Sequence, residues 1–387
     1  MAETYYAHRA QISFAEETTA GTTVSAPAHY PGHIPSMDFP DESVEWKTVK
    51  GIGAGRDFNA IAEGVHSFEG SADIILIKPD ILFYGMGQVT EAGTDDSGGA
   101  STLDGAVLAG ATVIDVVSST SYAAGDFIAV GTDDTYPEIR EIASVSSNEI
   151  TLTKALRYAK ATGKACLEVT SPYTHTMAVG DTLKSFTMEY GQDGATDIRR
   201  KINGCHINTM ELSCEEEGML KANIGIIGMN STAADTSIST VTIPTTAPYM
   251  FDEGVITLHG GAIAQIKSFK LSINNNLKVN RYIQGTAARN VYEVVPGNRT
   301  LELTVDLVPQ ANTYTEKMRP EGQTATTLSA KFSRSATDYI DIQCTGVYIK
   351  DNKQPIPEEG EIIANQTMIC KTCSIETKDT TPYYLMV

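Results

Sequence analysis

The sequence predicts a mainly β chain built as two tandem β-sandwich or barrel domains, each with a short helix, plus an inserted small β-barrel-like domain. Three observations carry this: alternation with a period of two, an internal repeat, and the near absence of helical periodicity. Leu301, Leu303, Val305 and Leu307 fall on one face of a strand, with Glu302, Thr304 and Asp306 on the other. Phe269, Leu271 and Ile273 alternate in the same way with Lys270 and Ser272, and Met210, Leu212 and Cys214 with Glu211 and Ser213. Such strands have one buried and one polar face, as antiparallel sheets do. The repeat emerges when the second half is laid on the first with a shift of 230: Gly55 meets Gly285, Ile75 meets Val305, Pro79 meets Pro309 and Tyr84 meets Tyr314. Further on, Phe186 meets Phe332 at a shift of 146, so the first copy holds about 84 extra residues, the difference of the two shifts. A repeat of this kind decides the architecture.

Four segments follow. Residues 1–47 hold Pro27, Pro31, Pro35 and Pro40, which disfavour central strand and helix, and read as an extended arm lying on another surface. Its Tyr5, Tyr6, Phe14, Phe39 and Trp46 are too apolar for a free tail and are candidates for contact with a neighbouring subunit. Residues 48–88 and 172–250 form the first domain, with 229–254 reading as a linker between copies. Residues 251–387 form the second domain. In each copy a strand is followed by a proline-led helical start, Pro79–Tyr84 and Pro309–Tyr314. Residues 89–171 form the insert. It opens on a Gly- and Ser-rich stretch, 91–101, that reads as flexible. Short strands separated by turn residues follow, as in a small barrel or sandwich. An insert confined to one copy is expected to project outward and to be dispensable for assembly.

Composition narrows the function. The 387 residues are 41% hydrophobic, enough for a sizeable core. A net charge of −19 argues against a nucleic-acid grip, which requires cations at phosphates. No run of about 18 apolar residues marks a membrane span. The N-terminus lacks the basic start and apolar core of a secretory signal. The six scattered cysteines read as reduced structural residues in a cytoplasmic setting. Cys370 and Cys373 lie three apart on a strand, which sends them to opposite faces. No Walker A loop, H-E-x-x-H or G-x-S-x-G is present, so no catalytic, cofactor or metal residue is assigned. Gly51–Gly55 reads as a hairpin or loop, His29 and His33 flank a proline rather than a helical metal pair, and Asp95-Asp96 and Asp133-Asp134 read as solvated turns. Glu215-Glu216-Glu217-Gly218 and Glu358-Glu359-Gly360 read as acidic turns at matching points of the two copies.

Three stretches resemble the tail tube proteins of long-tailed bacteriophages and related viruses. Glu16-Glu17-Thr18-Thr19-Ala20-Gly21-Thr22-Thr23 resembles the family's N-terminal Glu-x-Thr-x-Gly-Thr signature, and Ile34-Pro35-Ser36 the proline loop after it. Ser185–Tyr190 is similar to its Ser-Phe-Thr-hydrophobic-Glu strand. Ser268–Leu277 resembles its asparagine-ended alternating strand. The resemblance implies a virion structural protein assembled in the host cytoplasm. Its inner sheets would join into rings that stack into a channel for DNA, with itself and other tail proteins (tape measure, terminator, tip) as partners, no membrane, and no specific DNA binding. A doubled chain would need three copies for a pseudo-sixfold ring. The strand faces carrying Glu302 and Asp306, or Glu189, are candidates to line the lumen. Alternatives are a tail-tip or tube-terminating adaptor of the same fold, and an extracellular β-sandwich binding module.

Overall fold

A computed structural model of the chain describes residues 10–52, 56–193, 198–232, 239–258, 261–263, 266–283, 289–308 and 325–384. In chain order, β1 (Ala10–Glu16), β2 (His33–Asp38), β3 (Glu42–Val49) and β4 (Ala60–Ile75) precede a short helix, α1 (Ile81–Met86). Next come β5 (Gly87–Thr102), β6 (Val113–Asp115), β7 (Phe127–Val130), β8 (Glu138–Ser146), β9 (Glu149–Leu152) and β10 (Ala165–Val179). The first half then closes with β11 (Phe186–Gln192), β12 (Ile198–Glu215), β13 (Lys221–Ile227) and β14 (Asn230–Thr232). The second half holds β15 (Gly254–Leu258), β16 (Gly261–Ile263), β17 (Ile266–Asn274), β18 (Lys278–Asn280), β19 (Glu293–Val295), β20 (Thr300–Leu307), β21 (Thr326–Ser335), β22 (Asp338–Lys353) and β23 (Ala364–Asp379). The chain is mainly β, as its alternation predicts, and 21 strands share one hydrogen-bonded network. Among the described residues, no helix is long and apolar enough to cross a membrane.

The pairing order repeats. In the first half β4 pairs β13, β13 pairs β12, β12 pairs β11 and β11 pairs β1. In the second half β20 pairs β23, β23 pairs β22, β22 pairs β21 and β21 pairs β15. Each half is a sandwich whose long strands serve both layers. One apolar core runs through both halves, from Phe14 and Phe186 to Phe269, Phe332 and Ile375. Helix α1 lies wholly inside it. Asp80 caps its first turn by accepting the Ile81 N–H at 2.9 Å, and His29 Nε2 reaches the same carboxylate at 2.8 Å. The helical start expected at Pro309–Tyr314 lies outside the described residues.

Residues 10–47 are not an arm laid on another surface. Strand β1 pairs all along β11, and Phe14 is fully buried in the protein's own core. Strands β2 and β3 both pair with β4. The prolines are compatible with this because Pro35 lies in a strand with one partner, where a missing N–H costs no ladder bond, and the others lie between strands. Tyr5 and Tyr6 lie outside the described residues. Phe39 is half-buried against Tyr190, with ring centroids 5.6 Å apart, and Trp46 is exposed on β3.

The Gly-rich stretch 91–101 is part of strand β5, paired with β10, rather than a flexible leash. Its glycines are sites of close cross-strand contact: a Cβ on Gly93 would lie 2.6 Å from Val169 Cβ. Beyond this ribbon the insert has its own core, including Leu103, Ile114, Val116, Ile128, Ile142 and Leu152. It is anchored by a buried ionic network. Arg140 reaches Glu91 at 3.0 Å and Glu138 at 2.6 Å, all three essentially inaccessible to solvent. Arg157 reaches Glu16 of β1 at 3.1 Å and stacks over the Phe83 ring of α1 at 4.2 Å. The Tyr84 hydroxyl donates to the same Glu16 oxygen at 2.6 Å. Cutting out 91–170 would therefore take Arg157 away from the buried Glu16 of the body.

Removing one partner of such a pair strands the other, at about 3–5 kcal/mol. Arg157→Ala is expected to destabilise the chain by about that amount in urea denaturation. Burial pushes the Glu16 carboxyl up, but the Arg157 guanidinium and Tyr84 hydroxyl outweigh it and hold it below its ordinary value of 4.5. A depressed carboxyl contributes stability that is present above pH 4.5 and lost as pH falls through the folded value. Stability should therefore drop with acid in the wild type, and by less in Arg157→Ala, as measured by thermal melts from pH 7 downward.

Candidate functional site

Parts of both halves join in one eight-strand antiparallel layer, ordered β2, β4, β13, β12, β17, β20, β23, β22. The halves meet where β12 pairs β17, from Thr209↔Asn274 to Glu215↔Ser268. This is the second strand neighbour of β12 there, since β13 takes its other side. In the strand pairings of the described residues the matching part of β22, Tyr348–Lys353, is laddered to β23, and β2 to β4, so the layer's outermost strands are β2 and β22.

One face of this layer packs on the core through Ile74, Ile224, Leu212, Leu271, Leu303 and Met368. The opposite face is polar and lies open. Along it run Ser36, Asp73, Asn223, Glu211, Ser272 and Glu302, each opposite the next across a strand pair. Among the described residues the face carries eight carboxylates (Asp38, Glu69, Asp73, Glu211, Glu215, Glu302, Asp306, Asp351) against five lysines (Lys221, Lys270, Lys350, Lys353, Lys371), an excess of three negative charges. Lys270 pairs Glu211 at 2.7 Å and Lys350 pairs Glu302 at 2.9 Å. The structure places Glu302 and Asp306 on this face.

Glu189 is not on it. Its side chain is 1% exposed, and Arg199 at 2.5 Å and Lys201 at 3.7 Å neutralise it. Its strand, β11, belongs to the other layer, where the alternation of Phe186, Met188 and Tyr190 does not reveal that Glu189 is covered as well. Residues 23–25 and Ser239 lie over that side, the latter donating to Glu189 from its N–H at 2.8 Å.

The two halves also share a side-chain arrangement that the sequence comparison missed. Asp73 on β4 accepts from Ser36 on β2 and Asn223 on β13, each at 2.5 Å. Asp306 on β20 accepts from Ser268 on β17 and Asn365 on β23, each at 2.6 Å. Hydrogen bonds from Ser36 and then Asn223 hold the Asp73 carboxyl below its ordinary value. Asp73 and Asp306 are 233 residues apart, and Asn223 and Asn365 are 142 apart. The shift of 142 also relates Gly204 to Gly346, both with left-handed φ (64° and 62°) where β12 and β22 pass from one layer to the other. It relates Glu216-Glu217-Gly218 to Glu358-Glu359-Gly360 as well. By these markers the first half is longer by 91 residues (233 less 142) rather than 84. Spaced short polar residues were the available signal, but a search weighted to apolar identities passes over them.

The cysteines are free thiols. Cys373 lies directly across the ladder from Cys344, and Cys370 also reaches the Cys344 thiol, overturning the expectation that the two point apart. Among the described residues no group of His, Cys, Asp or Glu is arranged to hold a metal ion. The site's chemistry is that of a surface: carboxylates fixed in place on a mixed but net acidic face.

A family model described as phage tail tube protein matches residues 7–370, nearly the whole chain. A search of curated proteins finds no match.

The glycine bends make a local prediction. A Cβ at Gly204 would lie 2.5 Å from the Met229 side chain, in a backbone conformation that costs other residues about 1–2 kcal/mol. Gly204→Ala should therefore lose at least that much stability in denaturant titration, whereas Gly105→Ala, with open space around it, should be near neutral.

Proposed function

The chain belongs to the phage tail tube protein family, and from that premise we propose that it is the repeating subunit of the tube wall. Tail tube proteins are structural, so the role is one of shape and surface. In this reading the polar face of the eight-strand layer turns inward around a channel, with Glu302 and Asp306 among its lining residues. The other layer and the insert lie outward. Copies join laterally when β22 of one pairs with β2 of the next. Three chains, each contributing two equivalent units, complete a ring, and DNA passes through without being held.

The observation that carries this reading is the junction inside the chain. The β12–β17 pairing already shows how one half is joined to the next, and the ends of the layer offer the same two kinds of edge. Strand count supports closure. Directions alternate through the layer, so with eight strands the first and last run oppositely, and a neighbouring β2 meets β22 in the same antiparallel sense as every other pair. Open edges are aggregation hazards unless covered, and closing a ring covers all of them. The acidic excess on the polar face favours the channel reading because phosphate meets net repulsion there. At physiological salt this reaches only about 8 Å, so it is a non-stick lining and not a barrier along the axis.

The reading is tested by cysteine pairing across the seam. Asp38→Cys on β2 combined with Lys353→Cys on β22, both on the polar face, should give chain-to-chain disulfides under mild oxidation, with the covalent ladder ending at three chains. Native mass measurement of solubilised rings should also give three. A ladder ending at six would mean that the second half does not occupy a ring position, and no cross-link at all would remove the lateral contact. Assembled tubes should not retain duplex DNA at about 0.15 M salt, whereas Glu302→Lys with Asp306→Lys should retain it. A tube-terminating adaptor would instead give single rings that never stack.

A further inference from the structure

By sequence the insert belongs to the first half, but its stem is paired to the second. Strands β5 and β10 form that stem, laddered from Gly87↔Val179 to Ala92↔Thr174. On its other side β10 pairs β23, from Tyr173↔Asp379 to Ala178↔Ser374. This stretch of β23 lies in the other layer of the second half, where it pairs Tyr339–Cys344 of β22, which pairs β21 in turn. The halves are therefore laddered together twice, by β12–β17 in the layer with the polar face and by β10–β23 in the other.

The segment after β23 fastens this second ladder. Tyr384 is 1% exposed, and its ring stacks on His175 of β10 with centroids 3.8 Å apart. Its hydroxyl donates to Asp379 at 2.7 Å and meets the Thr377 hydroxyl at 2.7 Å. Its N–H donates to Glu91 of β5 at 3.3 Å, and its carbonyl accepts from Arg157 of the insert. His175 Nε2 donates to the Thr381 carbonyl at 2.8 Å, and the Arg140 guanidinium lies 5.6 Å from the centre of the Tyr383 ring. Through Arg157 the same cluster reaches Glu16 and Phe83 of the first half. First half, insert and second half thus meet in one buried cluster.

We propose that the stem and residues 380–384 are a brace that fixes the angle between the two halves. It rests on the tube-wall reading only for its consequence, the curvature of the ring. Neighbouring strands in a sheet twist against one another by about 10–35°, so two halves joined by one ladder share a hinge. A second ladder in the facing layer, about 10 Å away, turns rotation about the first into displacement. A rotation of about 10° moves it by about 2 Å, which separates N–H···O bonds of about 2.9 Å. In a closed ring such errors add, and about 10° in each of three chains leaves a gap of about 30°. The brace uses neither the polar face nor the outermost strands, β2 and Tyr348–Lys353, so it is separable from lateral pairing.

Distances between spin labels on the purified protein test this. A keto amino acid carries the label at Lys221 and at Lys350, one exposed site in each half, which leaves the native thiols alone. The wild type should give one narrow distance distribution. Ending the chain at Asp379 should broaden it about twofold, since the second ladder is then unfastened and rotation about the first is freer. A disulfide between Thr174→Cys and Lys378→Cys, opposite each other across β10–β23, should narrow it again until reductant is added. Tyr384→Leu, which keeps the backbone bonds to Glu91 and Arg157, should broaden it less, and it takes the place of the shortened chain if circular dichroism shows that chain unfolded. A distribution as narrow as wild type in a folded variant would overturn the proposal, and so would a broad one in the wild type. In electron microscopy the shortened chain should give arcs and rings of mixed size, and uniform rings from it would overturn the link to curvature. Wild-type protein that forms no rings refutes the tube-wall reading instead, and the label distances then decide the brace alone.

Discussion

The hydrogen-bond ladder between β12 and β17 is the constraint on which the rest of the molecule depends. Each backbone N–H and C=O in a buried sheet needs a partner, and at this junction the partner comes from the other half of the chain. That single pairing merges two sandwiches into one layer and one core. It aligns their polar faces. It also makes β2 and β22 the outermost strands of the layer among the described residues.

The polar face is acidic, and its carboxylates are held in place. Asp73 and Asp306 are each held by a serine and an asparagine from the two flanking strands, and Glu211 and Glu302 each by a lysine. Fixed side chains of both signs keep the surface smooth and hydrated, while the excess of carboxylates sets its sign. The same Ser–Asp–Asn bridge in both halves is an internal repeat visible in three dimensions, and it supports treating the halves as equivalent units. The insert is held differently, through Arg140 and Arg157 buried against Glu91, Glu138 and Glu16. Buried pairs of this kind fix geometry more than they add stability.

The strand pattern by itself determined the fold class, because a half-buried strand must alternate, and Leu301–Leu307 or Phe269–Ile273 have no other way to bury their apolar side. It placed Glu302 and Asp306 on the face opposite that apolar side. The resemblance in 16–23, 185–190 and 268–277 led to the family. What it left undecided was everything set by contacts distant in sequence. Proline content made 1–47 read as an arm, yet β1 fills the slot beside β11 and buries Phe14. Period-two alternation gave Glu189 an open face, yet Arg199 and residues 23–25 cover it. Spacing set Cys370 and Cys373 apart, yet both meet Cys344 on the neighbouring strand. Alternation tells which side of a strand is apolar. Only the tertiary structure decides what lies over the polar side, because a second layer, a bulge or a loop from elsewhere in the chain leaves no periodic trace in the residues it covers.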